Sequence, residues 1–287
     1  MKFISVESAT GPTGDALCSK AAHRDGANIA IAAKTDKPHP KLSGTIFTAA
    51  DEIAKAGGHA LPLVVDVRDE AQVKSAIERT VATFGGIDIV VNNASAVQRT
   101  PVVDTDMRRF DLMHQINTRG TFMVSKYAIP HLEKARNPHI LMNSPPLDMR
   151  EKWFSGSTAY SIAKYGMSLV VLGLAGELRE RGIAVNALWP RTTIATAAIK
   201  NLLGGERVMR MSRTPEIMAD AAYLVFQKPS RSFTGNFLID DTFLAAEGIT
   251  NFEKYRVDAS EPLAPTFFVP DDAAPPRGVS VTGERWE

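Results

Sequence analysis

Hydrophobic residues along this chain fall into two alternating patterns. Short apolar runs rich in β-branched residues, at 2–5, 27–33, 60–66, 87–92, 139–143, 183–189 and 236–240, predict strands. Several of them, such as IAIAA, LPLVV and IDIVV, are apolar throughout. Strands with no polar face belong to a parallel sheet whose two sides are both covered by helices. Longer stretches at 15–24, 45–56, 70–84, 108–134, 158–181 and 214–227 carry helical patterning. In the third, Val73, Ile77, Val81 and Phe84 recur at i, i+4, i+8 and i+11 as one stripe. The stretch from 158 has hydroxyl cap candidates in Ser157 and Thr158 and ends before Gly182. This alternation predicts an α/β fold: a single doubly wound Rossmann-type parallel sheet of about seven strands, with helices on both faces.

Two segments break the alternation. Residues 34–44 (KTDKPHPKLSG) form a proline-bearing insertion after the second strand. The segment from 261 holds Pro262, Pro265, Pro270, Pro275 and Pro276 and reads as a loose, extended terminus. Its Phe267-Phe268-Val269 is the part suited to dock on the body or on a neighbouring subunit. The expected organisation is one Rossmann-type dinucleotide-binding and catalytic domain over 1–260, followed by a C-terminal tail over 261–287.

Composition narrows the function. With 44% hydrophobic and 23% charged residues in 287, the proportions are those of a soluble globular enzyme. A formal net charge of +1 without a basic stripe speaks against nucleic acid as a partner. The single cysteine, Cys18, excludes a disulfide framework, a cysteine-based zinc site and CxxC redox chemistry. None of the histidines falls in a metal-ligand spacing such as HExxH, so no metal is expected. No run approaches the roughly 18 apolar residues of a membrane span, and the N-terminus lacks the order of a signal peptide. The expected location is the cytoplasm or another reducing compartment.

In an open parallel sheet, ligands bind beyond the carboxyl ends of the strands. Here those ends are SVESATGPTG, Lys34, Asp66, Asn92-Asn93-Ala94-Ser95, Asn143-Ser144-Pro145-Pro146 and Trp189-Pro190-Arg191-Thr192-Thr193, a polar, turn-rich edge suited to a nucleotide. The sharpest constellation is Tyr160-Ser161-Ile162-Ala163-Lys164. Positions i and i+4 share a helix face. An ammonium there favours the phenolate and draws the phenol's pKa toward the operating pH, which suits general acid–base work. YxxxK alone also occurs in many helices by chance.

Together, YSIAK, NNAS after the fourth strand, Asp66-Val67 after the third and Asn117 within INTRG resemble the classical short-chain dehydrogenase/reductase family over roughly residues 1–245. KPHPKLSGTIFTAA, NSPP, AKYGMS and NALWPRT further resemble its hydroxysteroid dehydrogenase-like branch, without the sterol-carrier domain fused to some of those relatives. The resemblance implies Tyr160 as proton donor or acceptor, Lys164 to tune it and hold the nicotinamide ribose, and Asn117 in a water-linked proton relay. It implies Asp66 at the adenine, Asn93 along the adenosine and Thr193 near the nicotinamide amide. Ser144 is the choice for the serine that polarises the substrate oxygen. It precedes Tyr160 by sixteen positions where the family spacing is roughly thirteen, a slot held here by Leu147. The resemblance also implies a homodimer or homotetramer, built on the helix that carries 169–174.

Lys34 follows Gly14 by twenty positions, where a Rossmann fold recognises the cofactor's 2′ position. A cation there favours NADP(H), while Asp36 keeps NAD(H) open. The glycine loop departs from TGxxxGxG, leaving only Gly11 and Gly14. Pro12 removes an N–H donor, and Glu7 and Asp15 bring carboxylates to where a phosphate should sit. Ser8, Thr10 and Thr13 offer hydroxyls in partial compensation, so Thr10, Gly11, Thr13 and Gly14 remain the candidate phosphate contacts. Arg191 stands where Pro-Gly is usual, and would meet a substrate anion or pair with an acid. The reading is an NADP(H)-dependent oxidoreductase of a small carbonyl or alcohol substrate, apolar or lipid-like. The alternative is a Rossmann-fold binding or scaffold protein that has lost turnover.

Overall fold

The computed structural model describes residues 1–7, 24–38 and 44–282. Seven strands form one sheet: β1 (Lys2–Val6), β2 (Asn28–Ala33), β3 (His59–Val64), β4 (Ile89–Asn92), β5 (His139–Met142), β6 (Ala184–Trp189) and β7 (Phe237–Ile239). Their order is β3-β2-β1-β4-β5-β6-β7 and every pairing is parallel. The helices are α1 (Ile46–Lys55), α2 (Glu70–Phe84), α3 (Met107–His114), α4 (Thr121–Leu132), α5 (Thr158–Glu177), α6 (Gly205–Arg210), α7 (Glu216–Gln227) and α8 (Asp240–Ala246). The doubly wound sheet read from the apolar runs is the sheet observed. Residues 15–23 of the first helical stretch lie outside the described residues.

Strand alternation divides the core into two layers. Phe3, Ile29 and Ile31 face Ile46 and Ile53 of α1 and Ile217 and Val225 of α7. Ile4, Ala30 and Ala32 face the opposite way, onto Val73 and Ile77 of α2, Val124 and Leu132 of α4, and Val171 and Leu174 of α5. The helix ends follow local chemistry. Thr45 caps α1 in a reciprocal box with Thr48, and Asp69 caps α2, which stops at Gly85 in the left-handed region (φ 76°). Ser157 holds the cap position of α5, yet its hydroxyl makes no capping bond and instead faces Ser161 Oγ at 3.4 Å. Length and apolarity would let α5 cross a membrane, but that apolarity belongs to the core: Ala163, Met167 and Val171 are fully buried.

The long helical stretch at 108–134 is interrupted by a π-helical turn over Gln115–Gly120, which joins α3 to α4 and carries Asn117. Wide turns of this kind are rare and concentrate at functional sites. The turn is docked on α5 through Thr118, whose Oγ1 donates to Ala163 O at 3.0 Å. Gly166 makes that docking feasible, since a Cβ there would lie 2.3 Å from Thr118 Oγ1 and 2.9 Å from its Cγ2. Thr118 is short and β-branched, so it has little room to yield. Gly166→Ala is therefore expected to cost about 1–3 kcal/mol and to shift the turn. Denaturant unfolding checks the first; hydrogen exchange confined to 115–120 checks the second.

The described part of the C-terminal segment, 261–282, is not loose. Ala264 N donates to Met211 O at 2.9 Å, Thr193 N to Ala264 O at 3.0 Å, and Thr266 N to Arg191 O at 3.0 Å. Leu263, Ala264 and Phe268 are buried. Backbone pairing to the segments after β6, together with burial of Phe268, outweighs the extended character of its prolines.

Candidate active site

The sheet reverses its winding between β1 and β4, which are neighbours although the chain leaves them toward opposite edges. A ligand crevice opens at such a point. Glu7, just past β1, and Asn93, just past β4, meet there: Asn93 Nδ2 donates to Glu7 Oε2, and Ser5 Oγ donates to Glu7 Oε1 at 2.5 Å. Burial raises the Glu7 carboxyl above the usual carboxylate range, against the two hydrogen bonds that favour its ionised form. Asn143 Nδ2 donates to Asn93 Oδ1 at 2.7 Å, and Lys164 Nζ donates to Asn143 O at 2.9 Å. A continuous polar chain thus runs from this crevice to Lys164. Asn143 was not singled out from the sequence; its position directly before Ser144 at the end of β5 is the only signal it gave.

Thr10, Gly11, Thr13 and Gly14 lie outside the described residues. Lys34 is exposed immediately beyond β2, near enough for its charge to favour ionised Asp66. The Asp66 carboxyl is held low chiefly by Arg68, whose Nε lies 2.9 Å from Oδ1 and whose Nη2 lies 2.5 Å from Oδ2. Lys34 is thus joined at this edge by Arg68, which was not anticipated.

Tyr160 and Lys164 lie one turn apart on the buried side of α5, 9% and 3% exposed. The expectation that Lys164 draws the phenol's pKa down is not met. Burial pushes Tyr160 well above its ordinary value, and the charge that acts against this is Arg99. Lys164 itself is pushed down to about 7 by burial, so at neutral pH it is only partly charged. Its Nζ also lies 5.2 Å from the centroid of the Trp189 ring. A phenol held protonated beside a lysine that titrates near neutrality can donate a proton and have it replaced.

Asn117 is fully buried in the π turn, and its carboxamide is committed to one residue after β4: Oδ1 accepts from Ala96 N at 2.7 Å and Nδ2 donates to Ala96 O at 3.1 Å. Ser144 is fully buried, and its Oγ has no hydrogen-bond partner among the described residues. A buried hydroxyl without a partner is costly unless something completes it. Thr193 is buried, with Oγ1 at 2.8 Å from Ser212 Oγ.

Arg191 does not wait for a substrate anion. Its Nε lies 2.7 and 2.9 Å from the two oxygens of buried Asp241, its Nη2 donates to Thr242 Oγ1, and Nη1 donates to Ala273 O at 2.6 Å. Arg213 Nη1 reaches the other side of Asp241 at 2.9 Å. Of the two alternatives read from the sequence, the acid partner is the one observed, and it is buried rather than at the surface. Trp153, Tyr165, Trp189 and Phe268 share one hydrophobic cluster with Tyr160, with Val97 and Leu147 half-buried at its edge.

Residues 16–241 match the family model described as enoyl-(acyl carrier protein) reductase. Hydroxysteroid dehydrogenase-like protein 2 of Danio rerio is 56% identical over 266 residues, covering 93% of this chain and 63% of the relative. The chain thus spans less than two thirds of the length of that relative; for the human protein of the same name the figures are 54% identity and again 63%. Among solved structures, a putative dehydrogenase from Xanthomonas campestris superposes with a TM-score of 0.90 at 49% identity, covering 94% of this chain and 98% of that one.

Proposed function

Because this chain belongs to the short-chain dehydrogenase/reductase family, we propose that it reduces a carbonyl compound to an alcohol with NADP(H), Tyr160 donating the proton. The carbonyl carbon gains a hydride and its oxygen a proton, or the reverse in oxidation. The reduced nicotinamide nucleotide, when bound, supplies that hydride. The observation that carries the reading is the buried pair on α5: a phenol kept protonated, one turn from an ammonium that titrates near 7. Ser144 Oγ, buried and unpartnered among the described residues, is the hydrogen-bond donor for the substrate oxygen. Asn117 braces the segment after β4 through Ala96. Lys164 and Thr193 serve the nicotinamide end of the cofactor.

The residues fit that cofactor unevenly. The nicotinamide side offers Lys164 and the unpartnered Ser144 and Asn143 side-chain oxygens. On the adenosine side Asp66 and Asn93 already have partners, and Glu7 brings a buried carboxyl group to the crevice. Exposed Lys34, with Arg68 close by, supports the 2′-phosphate of NADP(H) over NAD(H). The partner is a small molecule with an apolar, lipid-like body. Phe122, Leu169 and Leu172, each half exposed on α4 and α5, support a second copy packing there as a homodimer or homotetramer. The one cysteine supports the cytoplasm or another reducing compartment.

Titrating NADPH and NADH by nucleotide fluorescence tests the cofactor reading. NADPH is expected to bind at least about tenfold more tightly, a difference of roughly 1.4 kcal/mol, and Lys34→Ala should narrow the gap. Failure of either nucleotide to bind at millimolar concentration would favour a binding or scaffold protein, which the Glu7 side chain in the crevice would explain.

A further inference from the structure

Arg99 is half-buried on the segment that follows β4. Asn117 grips that segment through both backbone groups of Ala96, and Ala96 and Val97 pack against the hydrophobic cluster that contains Tyr160. Two residues on from Val97, the Arg99 guanidinium carbon lies 3.4 Å from the centroid of the Phe267 ring. Phe267 is itself tied down, its carbonyl oxygen accepting from Trp189 Nε1 at 2.6 Å. Its ring centroid lies 5.9 Å from that of Phe268, which lies 5.9 Å from that of Tyr160. A cation is thereby held at the edge of the proton donor's own ring cluster.

The other charged and titratable groups around the cluster are differently placed. Lys164, one turn along α5, is pushed down to about 7 by burial, so its charge is partial at neutral pH. Asp148 is taken up by Arg150 and Trp153 Nε1, and Asp271 by Arg150 and Lys152. Burial pushes His114 of α3 down and Tyr165 up, which favours the neutral form of each. A guanidinium, by contrast, keeps its charge across the whole working pH range. Among the described residues, Arg99 is the one whose charge favours ionised Tyr160, against burial, which opposes it.

We propose that Arg99 is a positioning residue for the reaction, its guanidinium held over Phe267 to stabilise the phenolate that Tyr160 becomes as its proton passes to the carbonyl oxygen. The Tyr160 O–H bond breaks, a new O–H bond forms on the substrate, and the electron pair stays on Tyr160 Oη while the carbonyl carbon takes up hydride. A fixed cation there makes a buried phenol a stronger acid without needing a proton of its own. The inference deepens the reading of Tyr160 as proton donor and rests on it.

The test follows the phenol itself as well as turnover. 3,5-Difluorotyrosine, whose phenol ionises at lower pH, is incorporated in place of the five tyrosines. The 19F resonance of position 160 is the one missing from Tyr160→Phe. Wild type, Arg99→Met and Arg99→Lys are titrated. Neither variant keeps the planar stack on Phe267, so loosening of the tail is common to both and charge alone separates them. The Arg99→Met midpoint is expected at least about one pH unit above wild type, with Arg99→Lys returning most of the way. In the unlabelled proteins, kcat for ketone reduction should fall about threefold or more in Arg99→Met with KM unchanged, and recover in Arg99→Lys. Equal midpoints in the two variants, or equal kcat despite separated midpoints, overturn the proposal and leave Tyr160 as the donor. Separated midpoints in a protein whose wild type turns over no ketone overturn the reductase reading and leave the coupling of Arg99 to Tyr160 in place.

Discussion

Tyr160→Phe is expected to lower kcat for ketone reduction by roughly 10²- to 10⁴-fold, the usual worth of a positioned general acid. KM and NADPH affinity should change little, because the ring and its packing on Phe268 remain and only the hydroxyl is lost. Steady-state kinetics with a saturating ketone, together with a nucleotide titration of the variant, provides the check. A kcat within about threefold of wild type would remove Tyr160 from the chemistry. If KM rose with kcat unchanged, the hydroxyl would be a binding group instead. On that proposal the hydroxyl is a proton donor at neutral pH, since burial pushes it further above its ordinary value, and Lys164, pushed down to about 7, can exchange protons near that pH.

The largest stability effect is expected at Asp241. This carboxylate is fully buried between two buried cations, Arg191 and Arg213. Its removal in Asp241→Ala takes from both arginines the carboxylate that they share. Breaking one side of a buried ion pair costs about 3–5 kcal/mol. In a chain of this size that is a fall in Tm on the order of 10 °C. Arg191 also holds the tail through Ala273 O, so the variant should bring earlier proteolysis of the C-terminal segment.

Asp240, its neighbour, should behave differently. Burial and the Asp241 charge raise its carboxyl to about 7. An acid whose folded pKa is raised contributes stability that is complete below its unfolded pKa and is lost as pH rises through the folded one. Wild type should therefore lose stability between about pH 4 and 7 through this group. Asp240→Asn should flatten that slope, since its side-chain oxygen still accepts from Arg191 N and Asp241 N. Thermal unfolding across that pH range distinguishes the two substitutions.

Much of the fold was legible from periodicity. The strand runs and helical stripes placed every described strand within about two residues, a margin ordinary for element boundaries, because a strand buried on both faces must be apolar throughout and a packed helix must carry one stripe. The YSIAK spacing likewise put Tyr160 and Lys164 on one side of α5, since i and i+4 coincide on any α-helix. Local sequence was less informative where structure depends on partners. The π turn around Asn117 interrupts a stretch with unbroken helical patterning, and what holds it, Thr118 packed on Gly166, comes from two elements remote in sequence.

What the sequence alone determined is the architecture, the polar edge of the sheet and the shared helix face of Tyr160 and Lys164, because each follows from the spacing of residues along the chain. What only the tertiary structure decided is the environment of those groups. Burial reversed the expected shift of the Tyr160 phenol, Asp241 settled Arg191 on an acid partner rather than a substrate anion, and a proline-rich segment packed an aromatic ring against Tyr160. Desolvation, ion pairing and ring packing all depend on distances between residues far apart in the chain, and no spacing along the chain records them.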